Sequence, residues 1–330
     1  MASSLMRTLL VGGLALATLA PISQARADDY PSRQITIMPL LAAGTGLDIT
    51  VRLYAEQLSK RLGKPVVVEN KPGSAGLVGV AALKAAPADG YTLIVATSAV
   101  MAIRPTLLKQ APYDPQKDFA PIALYVKSPF ILVVDPKLPI HSVPELIKYI
   151  KDRPGQLSYS SSGVGGAPQL STEYMKQRFG VDITHVPYRN SPQSIADVAA
   201  GHVAMAFAEA GASLPLIRDG RLRALAVTSS TRLPTVPELP PFGEAVGAPD
   251  FEAVSWHVLL APGATPAAIV AKLNSEMKRI MEAPDMRRKI ADIGLIPLDI
   301  APTEDIRRYI AAEGEKWGAL VRSLGLQGSQ

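Results

Sequence analysis

The chain of 330 residues contains no cysteine, only four histidines, and few aromatic side chains, 5% of the total. Without Cys there is no disulfide scaffold, no Cys-bearing zinc site, no iron–sulfur cluster and no thiol nucleophile. The four histidines are His141, His185, His202 and His257, and no two are spaced i, i+3 or i, i+4. That spacing argues against a His-rich metal centre, and neither a metal nor a cofactor is expected. Catalytic signatures are missing too: no G-x-S-x-G elbow, no Walker A motif and no H-E-x-x-H. No nucleophile–base pair is evident. Basic residues such as Lys60, Arg61, Lys278 and Arg279 are scattered along helix patterns without interleaved aromatics. They read as solvated faces and not as a nucleic-acid groove.

What is present begins with an address. Residues 1–27 carry no acid, Arg7 supplies a positive start, and Leu9 to Ala20 form a short apolar stretch before Pro21. Ala25-Arg26-Ala27 completes a secretory signal peptide pattern, with cleavage after about Ala27 and a periplasmic destination. The apolar stretch is shorter than the roughly 20 residues that span a bilayer. Cleavage removes Arg7 and Arg26, leaving 32 basic against 29 acidic side chains, a net +3. No second run approaches membrane length, so the mature chain is expected to be soluble.

The rest alternates strand and helix patterns. Strands are expected at Gln34–Met38, Val66–Val68, Tyr91–Thr97, Phe130–Val134 and Leu157–Ser161. Further strands are expected near 183–187, 203–207, 223–228 and 253–260. Between them, Asp48 is placed to cap a helix running to Leu62, with Gly63 at its end. Ser142-Val143-Pro144-Glu145 reads as a capping box. Such βαβ rhythm predicts an α/β protein with mostly parallel sheets flanked by helices. Length beyond about 250 residues favours two domains. Trp256 and Trp317 read as structural, and His185 as a packed or hydrogen-bonded side chain. The loop Ser162-Gly163-Val164-Gly165-Gly166 follows a strand and precedes a helix; it is equally readable as an anion cradle or a tight turn.

Several segments together resemble one family. They include Leu62-Gly63-Lys64-Pro65-Val66-Val67-Val68-Glu69-Asn70-Lys71-Pro72-Gly73-Ser74-Ala75-Gly76, Ala86-Pro87-Ala88-Asp89-Gly90-Tyr91-Thr92-Leu93, and Tyr113-Asp114-Pro115 with Lys117-Asp118-Phe119. His185-Val186-Pro187-Tyr188-Arg189, Gly220-Arg221-Leu222-Arg223 and Ser255-Trp256 follow in order. From Tyr30 to about Leu326 the chain is similar to the periplasmic solute-binding receptors of tripartite tricarboxylate transporters, the Bug-type receptors. The resemblance implies a two-domain periplasmic-binding-protein clamshell. One domain would be 28–125 plus 253–330 and the other 126–252, with a hinge near 124–128 and 251–255. It also implies a monomeric receptor, not an enzyme, that captures a small carboxylate and delivers it to membrane permease subunits. An exported hydrolase-like enzyme and a ligand sensor for a signalling partner are the alternatives.

The family binds carboxylates through loops, helix N-termini and bridging water rather than an Arg and Lys clamp. On that basis the ligand site is expected at Leu41, Ala43, Gly44, Thr45 and Asp48 in the first loop, with Ser98 beside it. Ser161, Gly163, Gly165, Gly166 and Ala167 would face them from the other domain. Tyr188, Arg189 and Glu209 would add selectivity, Arg189 by charge pairing. The first loop departs from the family pattern: Leu40-Leu41-Ala42-Ala43-Gly44-Thr45-Gly46-Leu47-Asp48 has fewer Gly and puts Leu before Asp48. Leu40, Leu41 and Leu47 either make an apolar wall for an aromatic or branched carboxylate or pack in the core.

Overall fold

The structure, a computed structural model, describes residues 30–330. The signal peptide expected at 1–27 lies outside the described residues. Pro31–Gln330 forms one unit built on two sheets.

The chain starts with β1 (Ile35–Pro39), whose residues are nearly all buried. Helix α1 (Gly46–Leu62) follows. Its cap lies three residues earlier than the expected Asp48: Thr45 is the N-cap and accepts from the Asp48 N–H. Asp48 instead sits in the first turn, and its carboxylate accepts from the Gly44 N–H. Gly63 ends the helix in the left-handed region, φ 66°, where a residue without Cβ is unstrained. Strand β2 (Val66–Val68), helix α2 (Leu77–Ala85) and strand β3 (Thr92–Thr97) complete the first βαβ units. After β3 the backbone makes a π-helical turn, Ala99–Ile103, that runs into the short α3 (Arg104–Leu107). Strand β4 (Phe119–Ser128) was legible only as a motif, because Pro121 lies inside it. Its partner strand shifts register opposite Pro121, and a bulge is where a sheet tolerates proline.

The second stretch holds β5 (Phe130–Val134), α4 (Val143–Lys151), β6 (Ser158–Ser161) and α5 (Ala167–Phe179). It continues through β7 (Thr184–Pro187), α6 (Ser191–Ala200), β8 (Met205–Glu209), α7 (Ala210–Arg218) and β9 (Arg223–Val227). The return path carries α8 (Phe242–Ala245) and β10 (Ser255–Pro262). Then come α9 (Ala267–Met281), α10 (Pro284–Asp292), β11 (Ile296–Pro297) and α11 (Thr303–Ser323).

One sheet has the order β11-β4-β10-β3-β1-β2 and the other β7-β6-β8-β5-β9. The sheets are mixed instead of mostly parallel. Parallel pairing is confined to β2-β1-β3 and to β7-β6-β8. Those strands are joined by crossover helices, which parallel neighbours need. By contrast, β5 enters its sheet directly from β4, and β10 returns from the other sheet; both pair antiparallel. The chain thus passes between the sheets at Ser128–Phe130 and again between Val227 and Ser255.

One continuous apolar cluster takes side chains from both sheets. An aromatic seam runs through it: Tyr174 of α5 stacks on Phe251 at 4.9 Å and meets Trp317 of α11 edge-on at 6.4 Å. Trp256 and Trp317 are fully buried, and both indole N–H groups donate to Glu313 at 2.9 Å. Both are structural. No helix among the described residues is long and apolar enough to cross a membrane.

Candidate ligand-binding cleft

Strands β1, β3 and β4 end at the second sheet, and the parallel strands β6 and β8 end opposite them. The loops leaving these strand ends enclose a cleft, the expected ligand position in open α/β sheets. A cavity of about 230 Å³ is lined by Leu40, Thr97, Val100 and Arg104 on one side and by Ser162–Pro168 on the other. A second compartment of about 390 Å³ lies between Gly44–Leu47 and the α7 helix. The two share Leu41, Ser128, Glu209 and His257. The first is smaller than a typical drug-sized pocket, so it suits a compact ligand.

On the first side, Asp48 holds the loop after β1 in shape. Its carboxylate accepts from the Gly44 N–H (2.9 Å), from Asn70 Nδ2 (2.9 Å) and from the Arg52 guanidinium. Asn70 also donates to the Leu41 carbonyl at 3.0 Å. Burial pushes the Asp48 pKa up, but these hydrogen bonds outweigh it and hold the carboxyl below its usual range. Ser98 and Ser255 share a 2.9 Å hydrogen bond at the cleft floor. The π-helical turn then delivers Arg104 to the cavity; such turns recur at functional sites.

On the second side, the Ser161 hydroxyl is bonded to the Gly163 carbonyl (3.0 Å) and to His185 Nε2 (2.7 Å). His185 stacks on Tyr159, as a packed histidine would. Gly165 has φ 75°, and a Cβ there would lie 2.1 Å from Leu107 Cδ2. Only Gly fits this close approach. The N-terminus of α5 has no side-chain cap, and its first residues Ala167 and Pro168 line the cavity. Pro168 has no N–H and the Gly165 N–H donates to Gln169 Oε1, so the Gly166 and Ala167 N–H groups and the partial positive charge of the helix end remain for a ligand.

Three ionisable side chains line the first compartment: Arg104, Glu209 and His257. Arg104 is 9% exposed, and its side chain makes no hydrogen bond or ion pair among the described residues. Burial lowers its pKa. Glu209 ends β8, and its carboxylate makes no hydrogen bond or ion pair among the described residues. Its side chain keeps surface facing the cleft, while the enclosing protein shields it from bulk water and pushes its pKa up. His257 is 4% exposed, its Nδ1 has no partner, and burial lowers its pKa to about 3, so the ring is neutral.

Residues 50–326 match the model of the tripartite tricarboxylate transporter family receptor. The chain belongs to this receptor family. Receptors of this kind are periplasmic binding proteins, and the protein is a solute-binding receptor and not an enzyme. BugT of Bordetella pertussis is 34% identical over 320 residues, covering 97% of this chain and 98% of BugT. A protein from the tcbD-tcbE intergenic region of Pseudomonas sp. strain P51 is 33% identical over 325 residues, 98% of this chain and 96% of its own. Among solved structures, Rpa4515 of R. palustris with adipate has a TM-score of 0.80 at 35% identity, covering 90% of this chain and 99% of that one. MatC of Rhodopseudomonas palustris with bound malate has a TM-score of 0.74 at 28% identity, covering 88% and 100%. Both sheets flanked by helices fit this two-domain periplasmic-binding-protein fold.

The receptor gathers part of the expected site. Leu41, Gly163, Gly165, Gly166, Ala167 and Glu209 line the first compartment. Gly44 and Thr45 line the second. Asp48, Ser98 and Ser161 are buried beside the cleft, bonded to the loops that form it. Tyr188 does not line either compartment; its hydroxyl donates to Asp197 at 2.6 Å. Ala43 and Arg189 are exposed and line neither, and Arg189 makes no ion pair among the described residues. Leu40 and Leu41 contribute wall to the first compartment, and Leu47 to the second. Sequence reading missed Arg104, His257, Ser128 and Ser255. A lone Arg before a proline carries no local signal. The nearest hint was Ser255-Trp256 in the family pattern.

Proposed function

We propose that the receptor captures a small carboxylate in the cleft and hands it to the membrane permease of a tripartite tricarboxylate-type transporter. The observation that carries this reading is Arg104: a residue 9% exposed, whose side chain makes no hydrogen bond or ion pair among the described residues, lining the same cavity as the uncapped N-terminus of α5. A carboxylate would pair with the guanidinium and accept from the helix N–H groups, both charge-assisted. The related structures with adipate and malate support the ligand class. In this reading, residues 28–125 plus 253–330 and residues 126–252 are two domains hinged near 124–128 and 251–255. The two crossings between the sheets support that division, and Lys127 joins them through a 2.7 Å ion pair with Glu252. Closure is favoured when the ligand touches both domains more than either alone. The leader at 1–27 supports export to the periplasm, with cleavage after about Ala27.

Calorimetric titration of the mature receptor with small mono- and dicarboxylates tests the reading. At least one acid should bind, and Arg104→Gln should weaken it about ten- to hundredfold, the value of a lost charge-assisted hydrogen bond. Absence of binding by every carboxylate would overturn it.

A further inference from the structure

We propose that the cleft is dipolar and selects a ligand with one carboxylate and one ammonium group, held by Arg104 at one end and by Glu209 at the other. The proposal rests on the carboxylate reading above and specifies the ligand's far end. Both side chains line the same cavity, and neither makes a hydrogen bond or ion pair with the protein among the described residues. Arg104 is largely buried, Glu209 is exposed on the cleft, and a charge left unpaired where the protein limits its hydration costs folding free energy. A ligand that brings a partner to each removes that cost on binding.

The two charges are not equivalent in position. Arg104 belongs to the first compartment alone, beside the N-terminus of α5. Glu209 lies where the two compartments meet, with His257 and Ser128. His257 also lines the cavity at this end; it is 4% exposed, and its Nδ1 is buried without a partner. An ammonium offers three donors. It can serve the Glu209 carboxylate and the Ser128 hydroxyl, which line the same end. The rest of the lining includes the apolar Leu40, Val100 and Phe130, suited to a short methylene chain. A dicarboxylate of the same length would place its second carboxylate against Glu209, and like charges at a water-poor site repel.

Matched probes test this on the mature receptor by calorimetry: hexanoate, adipate and 6-aminohexanoate, with butanoate, succinate and 4-aminobutanoate as the shorter set. Within at least one set the amino acid should bind tenfold or more tighter than the diacid. Glu209→Gln keeps the shape of the side chain, and its folding is checked by circular dichroism. It should weaken the amino acid, strengthen the diacid and so erase the preference. If the diacids bind the native receptor as tightly as the amino acids, or if Glu209→Gln leaves the ratio unchanged, the dipolar assignment is overturned while the carboxylate reading stands. If hexanoate, butanoate and all other probes fail to bind, the carboxylate reading fails and this one with it.

Discussion

At the scale of single residues, His257 and Glu209 are two ionisable groups whose pKa values are shifted by desolvation and that bias stability in opposite directions. The folded-state pKa of His257 is lowered from 6.5 to about 3. The unfolded chain therefore binds the proton first, and stability present above pH 6.5 is lost as pH falls toward 3. His257→Gln should lose less stability than the native receptor between pH 7 and pH 4, read from denaturant melts. Glu209 is raised above 4.5 by burial. Its contribution is fully present below pH 4.5 and is lost as pH rises through the raised value. Ligand-free Glu209→Gln should therefore melt higher than the native receptor at pH 7 and level with it near pH 4. Neither property is legible in the sequence. His257 sits in an apolar strand pattern, and Glu209 looks like any surface carboxylate. Desolvation by the folded protein changes both.

At the scale of elements, most helices and strands follow from local pattern. Ser142 caps α4 by accepting from the Glu145 N–H, as its capping box predicts. Gly180 closes α5. The glycine loop before α5 is more demanding. Gly165 combines a positive φ with a backbone that lies against Leu107, a fully buried side chain of α3. Gly165→Ala should cost about 1–3 kcal/mol of stability through overpacking and backbone strain, and should weaken ligand binding by displacing the cavity wall. Gly180→Ala has positive φ but nothing within 4 Å, so its thermal shift should be smaller. Two elements were hidden: the π-helical turn at Ala99–Ile103, because its identity depends on packing, and β4, because Pro121 needs a bulge supplied by β10.

At the scale of the molecule, the two sheets are joined by more than their crossing strands. Phe251 lies on the return path and is stacked against Tyr174 of α5, while Trp317 of α11 meets Tyr174 edge-on. Phe251 also packs 4.5 Å from Phe242. Its exposure is 1%, so Phe251→Ala leaves a cavity in a seam shared by both sheets. A loss of about 3–5 kcal/mol is expected, measured as a fall in unfolding free energy.

What the sequence by itself determined is the set of features with a local cause. Caps, turns and apolar periodicity set the α/β elements, and ordered motifs along the chain set the family. The first-loop leucines and the glycine run before α5 also pointed at the cleft. Tertiary structure decided the rest. It placed Arg104 beside the α5 N-terminus and set Glu209 and His257 at the junction of the compartments. It left Arg189 and Ala43 outside. The physical reason is that a binding site of this kind is made by the absence of protein partners for buried polar groups. That absence depends on which distant segments meet, and no local stretch of sequence encodes it.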